Sequence, residues 1–220
     1  MILGEKKGYY SVSRGYELGF SYDRLRWNPS LDLLLKKIRH PIPMYAKRIV
    51  GNPPATNAPA GFELQMGDWV KPYGNGLSTD VIFLRRLEMR SKHDYDEKLT
   101  VRFPNKGDGI IEFSVPGEDR YCDLLSPHEA PLQGYQAEIV REKHNHPGEF
   151  MRLDYDPNRN YFIRVRTIVD SEGHLKSALY GKIYGDFMQF VYYLNPTPND
   201  QNIEFDPSQN LLPKQDIKHP

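Results

Sequence analysis

Tyr161-Phe-Ile-Arg-Val-Arg-Thr-Ile-Val-Asp170, Ser171-Glu-Gly-His174, Leu175-Lys-Ser-Ala-Leu-Tyr-Gly-Lys-Ile-Tyr-Gly-Asp186 and Phe187-Met-Gln-Phe-Val-Tyr-Tyr-Leu194 together decide the fold class. Ile163, Val165, Thr167 and Val169 alternate with Phe162, Arg164, Arg166 and Ile168, which is the two-residue period of a β-strand. Asp170-Ser-Glu-Gly173 is a turn by composition. The return segment puts Leu175, Leu179 and Ile183 on one face and Lys176, Tyr180, Lys182 and Tyr184 on the other. The third run, to Leu194, completes an antiparallel meander, which Asn195-Pro-Thr-Pro-Asn-Asp200 ends. Gly181 and Gly185 mark a bulge or a close backbone approach. The aliphatic face needs a second layer to bury it, so the expected fold is mainly β, a β-sandwich or jelly-roll-like domain. The basic and aromatic face is the surface expected to meet a ligand.

Outward from the meander, Phe62, Leu64 and Met66 keep the same period, and residues 79–90 read as a strand around Val81, Phe83 and Leu87. Residues 98–103 and 109–115 read as a hairpin across Asn105-Lys-Gly-Asp108, and residues 135–143 as a further strand. One helix is expected at residues 29–39. Asn28 caps it, Pro29 opens it, and Leu31, Leu34, Leu35 and Ile38 make an apolar stripe. Lys36, Lys37 and Arg39 suit its last turn, and Pro41 and Pro43 stop it. Residues 1–220 are expected to form a single β-rich domain. Residues 1–50 are an N-terminal extension packed on it, and residues 207–220 a surface tail.

The formal charge balances to zero, which argues against nucleic acid as a partner. No stretch reaches about 18 apolar residues, so no membrane span is expected. Cys122 is alone, so no internal disulfide forms. Met-Ile-Leu-Gly-Glu-Lys-Lys at the start lacks the apolar core of a leader. A periplasmic or extracellular location is favoured if a leader has been removed.

No Gly-x-Ser-x-Gly and no phosphate-binding glycine loop occurs, so the expectation leans away from an enzyme. The leading expectation is a non-catalytic binding or structural module, for carbohydrate. Flat rings stack on sugars, and Trp69, Tyr73, Tyr180 and Tyr184, with Arg164 and Arg166 beside the second pair, are the candidate platform. Asp154-x-Asp156-x-Asn158-x-Asn160 offers oxygen ligands at alternate positions, as a Ca²⁺ loop does. Arg159 stands where an EF-hand needs Gly, and Val165 where it needs Glu, which favours a simple turn. His144-Asn145-His146 suits a transition metal, with Glu149 as a third ligand. Asp80, Glu88, Asp94, Asp96, Glu112, Asp186 and Glu204 form the pool from which the alternative, a glycan-active enzyme, would draw a facing pair, unless it used a His and a Tyr in a sheet groove. A third alternative is a subunit of a larger assembly, meeting protein partners or its own copies through the Tyr-rich N-terminus.

Asn160-Tyr-Phe-Ile-Arg-Val-Arg-Thr, Ser177-Ala-Leu-Tyr-Gly-Lys-Ile-Tyr-Gly-Asp186, Tyr192-Tyr-Leu-Asn-Pro-Thr-Pro-Asn-Asp200, Glu204-Phe-Asp-Pro207 and Gly67-Asp-Trp-Val-Lys-Pro-Tyr-Gly74 carry a resemblance. Over residues 62–211 the chain resembles a group of uncharacterised bacterial β-rich proteins with no assigned activity. The resemblance implies a bacterial origin and a domain used more than once, and it transfers no functional residue.

Overall fold

The computed structural model describes residues 2–14, 33, 35–114, 126–154, 156, 159–213 and 217. Two six-stranded sheets pack face to face as a mainly-β sandwich. The first is wholly antiparallel. It contains β4 (Pro59–Glu63), β5 (Asp68–Trp69), β6 (Val81–Ser91), β7 (Asp94–Arg102), β9 (Glu138–Asn145) and β10 (Arg152–Leu153), in the order β10-β9-β7-β6-β4-β5. The second contains β3 (Ile42–Val50), β8 (Gly109–Ser114), β11 (Arg159–Val169), β12 (Leu175–Asp186), β13 (Gln189–Leu194) and β14 (Phe205–Asn210), in the order β14-β3-β13-β12-β11-β8. Within it only the β14–β3 pair is parallel. A separate short pair joins β1 (Ile2–Gly4) to β2 (Val12–Arg14).

The meander of residues 161–194 is β11, β12 and β13, paired antiparallel in sequence order. Its aliphatic face packs as expected only away from the turn, since Val169 is half-buried and Leu175 is exposed. Ile163, Val165, Leu179 and Ile183 meet Val81, Phe83, Leu99 and Val101 of the first sheet in one buried core. Gly181 sits within that meander for a steric reason. A Cβ there would lie 2.3 Å from the Tyr193 carbonyl oxygen, so the β12 backbone passes β13 too closely for any side chain. Gly181→Ala should therefore cost roughly 1–3 kcal/mol, as overpacking does. A urea titration with an unchanged midpoint would remove this reading of the glycine.

The basic-aromatic face is mostly buried, and of its basic and aromatic side chains only Lys176, near the turn, is exposed. Tyr180, Tyr184 and Lys182 are buried in a second core with Met44, Ala46, Tyr193 and Phe205, capped by Ala130, Ile203 and Ile217. Burial of Lys182 is eased by its ammonium lying 5.1 and 4.9 Å from the centres of the Tyr184 and Tyr193 rings. The second sheet is thus covered on both faces.

Three further expectations are corrected. Residues 98–115 do not make a hairpin. β7 pairs with β6 and β9, whereas β8 pairs with β11, so Asn105-Lys-Gly-Asp108 turns the chain from one sheet to the other. Residues 35–39 are extended, and no helix occurs among the described residues. Their backbone groups bond outside the segment: the Tyr10 amide donates to the Lys36 carbonyl and the Ile38 amide to that of Gly8. A lone helix of this length is marginal, and these partners outcompete it. The remainder of that expected helix, residues 29–32 and 34, lies outside the described residues, as does Cys122. Finally, the tail is only partly superficial, because Leu212 and Ile217 are buried in the two cores. No helix among the described residues is long and apolar enough to cross a membrane.

Glu204 fastens residues 36–40 to the body. Its buried carboxylate accepts the Arg39 amide at 3.0 Å, the His40 amide at 2.6 Å and the Tyr10 hydroxyl at 2.8 Å. Burial pushes this carboxyl up, but the two amides and the hydroxyl outweigh it and hold it below its usual range. A folded value below the unfolded one, about 4.3, means the stabilisation is present above that pH. It is lost as pH falls through the folded value. Hydrogen exchange, corrected for intrinsic rates, should show the Tyr10 and Ile38 amides losing protection below about pH 4, before the β12–β13 amides do. Simultaneous loss in both regions would contradict the local fastening.

Candidate metal centre

β7 alternates Leu99 and Val101 into the core with Asp94, Asp96 and Lys98 outward, so Asp94 and Asp96 share the outer face. β9 lies alongside with Tyr95 opposite Asn145 and Asp96 opposite His144. His144 and His146, also two apart, therefore stand on that same outer face. Cross-strand partners on one face lie within side-chain reach. Here that register brings two carboxylates against two imidazoles.

His144 Nδ1 donates to Asp96 Oδ1 at 2.6 Å, and His146 Nε2 lies 3.2 Å from the same oxygen. His146 Nδ1 lies 3.1 Å from Asp94 Oδ1. From β6, Arg90 donates to Asp94 Oδ1 at 2.8 Å and to Asp96 Oδ2 at 2.6 Å. The His144 hydrogen bond, and then that of Arg90, hold the Asp96 carboxyl down at about 2. His146, and then Arg90, lower that of Asp94. Both carboxylates are thus kept ionised, as metal ligands must be.

One ligand atom from each of Asp96, His144 and His146 lies within 4.8 Å of the other two. Ligand atoms around a tetrahedral zinc are about 3.3 Å apart, given bonds of about 2.0–2.2 Å. The His146–Asp96 separation of 3.2 Å already matches. The shorter His144–Asp96 contact is a hydrogen bond, and an ion would replace its proton. Beside the two imidazoles opens a pocket of about 150 Å³, lined by His144, His146, Glu149, Phe150 and Arg152. Glu149, the third ligand expected from sequence, borders this pocket, with its carboxylate 3.8 Å from Arg152. Asp96 is the nearer partner.

The other candidates are not brought together. Trp69 packs edge-on against Phe62 and Phe83 at the core margin, whereas Tyr73 is 40% exposed. Tyr180 and Tyr184 are inside the second core, and the Tyr184 hydroxyl is bonded to Ser126. Arg164 donates to the Gly107 and Leu132 carbonyls and lies over the Tyr135 ring. Arg166 is tied to Glu63 and Asp80 of the facing sheet. These roles are structural, so no aromatic platform forms from the set.

The calcium motif fares similarly. Asp154 is paired with Arg159 at 2.9 Å and Arg141 at 3.5 Å. The same two arginines pair with Glu112, which closes a ring of charges linking β8, β9 and β11. Asn160 is buried within β11, Asp156 accepts the Arg159 amide through its backbone, and Asn158 lies outside the described residues. With Asp154 held by two guanidiniums, little anionic charge remains there for a hard cation.

The His-x-His half of the site is plain in the sequence. Asp94-x-Asp96 was visible only as two carboxylates among many, although its matching spacing was a usable signal. Comparison with family models, curated proteins and solved structures gives no match, and the resemblance over residues 62–211 finds no counterpart there.

Proposed function

We propose that this chain is a non-catalytic β-sandwich binding module whose ligand is a divalent transition-metal ion. One observation carries the proposal: Asp96, His144 and His146 converge on the outer face of β7 and β9 within ligand distance of one another. Two imidazoles and one carboxylate suit Zn²⁺, Cu²⁺ or Ni²⁺ better than Ca²⁺ or Mg²⁺. Binding rather than catalysis is supported by the pocket, whose volume of about 150 Å³ is below the roughly 300 Å³ of small-molecule sites. Among the rings proposed for carbohydrate, only Tyr73 is exposed, so that reading has weaker support. A glycan-active enzyme would use the groove of about 490 Å³ lined by Glu112 and Glu138, where two arginines already engage Glu112.

Isothermal titration with zinc should give a single saturable site, and calcium should give none. Saturable calcium binding without zinc binding would end the proposal. The assembly reading, expected through the Tyr-rich N-terminus, is favoured by one observation elsewhere: Phe150 at 97% exposure, with Met151 and Leu153 also exposed at β10. Light scattering with and without zinc tests it, and a monomer in both conditions would dismiss it.

A further inference from the structure

His146 has two ring nitrogens in two different settings. Nε2 faces Asp96 Oδ1 at 3.2 Å, on the side where the ion would sit. Nδ1 faces away, 3.1 Å from Asp94 Oδ1 and 3.2 Å from Arg90 Nη2. These neighbours make opposite demands, since a carboxylate requires a proton on Nδ1 and a guanidinium requires a lone pair. An ion bound at Nε2 consumes the lone pair there, which leaves the proton on Nδ1. Asp94 then accepts it. Arg90 keeps its bonds to Asp94 Oδ1 at 2.8 Å and Asp96 Oδ2 at 2.6 Å, so it remains anchored without His146.

Resting on the metal-binding reading above, we infer that Asp94 is a positioning residue for the metal centre: it accepts the His146 Nδ1 proton, fixes the ring tautomer and aims Nε2 at the ion. Arg90 holds the carboxylates of Asp94 and Asp96 at fixed separation behind the ligands. A carboxylate behind a metal-bound imidazole is a recurrent arrangement, because it orients the ring and raises its basicity. Nothing in Asp-x-Asp alone distinguishes the two roles. The geometry does, because Asp96 Oδ1 touches both imidazoles on the ion's side and Asp94 touches one on the far side.

The test measures zinc affinity by chelator competition in the wild type, Asp94→Ala, Asp94→Glu and His146→Ala. Long-range proton–nitrogen NMR of the imidazoles is recorded in parallel on zinc-loaded protein. Asp94→Ala should weaken zinc about 10–100-fold, and Asp94→Glu should recover most of the loss. The loaded wild type should show His146 protonated at Nδ1 with Nε2 shifted by the metal. In Asp94→Ala the Nδ1 proton should exchange fast with solvent. Wild-type affinity in Asp94→Ala, or a loaded His146 bound through Nδ1, overturns the inference even if His146→Ala confirms the site. Unchanged affinity in His146→Ala would instead bring down the metal centre itself, and the role of Asp94 with it.

Discussion

Arg166→Met is expected to destabilise the fold by about 3 kcal/mol, the lower end for breaking a buried ion pair. Arg166 sits at the register shift in β11, in the left-handed region with φ of 55°. Asp108 holds that kink by accepting the Arg166 and Thr167 amides at 3.1 and 2.8 Å. The kink sends the guanidinium across to the facing sheet. There it donates to Asp80 Oδ1 at 2.8 Å, Glu63 Oε1 at 3.0 Å and the Gln65 side chain. Asp80 is 1% exposed and Glu63 6%, so removing Arg166 leaves two buried anions facing each other. Both keep backbone donors, Leu64 for Asp80 and Leu77 and Ser78 for Glu63, which is why the lower figure applies. Burial raises the Glu63 carboxyl, but the Leu77 and Ser78 amides and then Arg166 bring it below its usual range. Its contribution is therefore present above about pH 4.3 and lost as pH falls through the folded value. The penalty in Arg166→Met should shrink over the same range. Urea denaturation at pH 7 and pH 4 measures both, and a loss under about 1 kcal/mol at pH 7 would show that the clamp is only a surface pair.

His146→Ala is expected to weaken zinc binding by more than about 100-fold, beyond the effect of any outer-layer residue. His144→Ala should behave alike, since each removes one of three convergent ligands. The control is His174→Ala. That imidazole also lies near two carboxylates, 3.4 Å from both Asp170 and Glu172, but is in no cluster of three convergent ligands among the described residues. Its loss should leave zinc affinity unchanged. Thermal melts give an independent readout, because an ion bound only by the folded state adds about 2.7 kcal/mol at a hundredfold excess over Kd. That increment should vanish in both ligand variants and persist in the control. Equal loss in the control would point to nonspecific imidazole binding.

The meander was legible because its pairings are between neighbours in sequence and its turn is marked by composition. Partners across greater distances were not. Asn105-Lys-Gly-Asp108 does specify a bend, but composition cannot say whether the bend joins two strands of one sheet or turns a corner between sheets. The face of Tyr180, Lys182 and Tyr184 reads as polar because each side chain carries a polar tip, yet long stems and rings bury well. Only the tertiary structure shows Ala130, Ile203 and Ile217 packed with it in one core. Helix propensity at residues 35–39 yielded to backbone partners at Gly8 and Tyr10 and to Glu204. The metal centre was half legible for the same reason. His144 and His146 announce themselves, but Asp96 lies 48 positions away, and only the β7–β9 register unites them.

X-ray absorption at the zinc edge, on protein loaded with one equivalent, tests the centre most directly. The expected first shell contains two imidazole nitrogens, identified by the outer-ring scattering of histidine, with the remaining positions filled by oxygen. A shell of oxygen alone, a single imidazole, or sulfur from Cys122 would place the ion elsewhere and contradict the assignment to Asp96, His144 and His146.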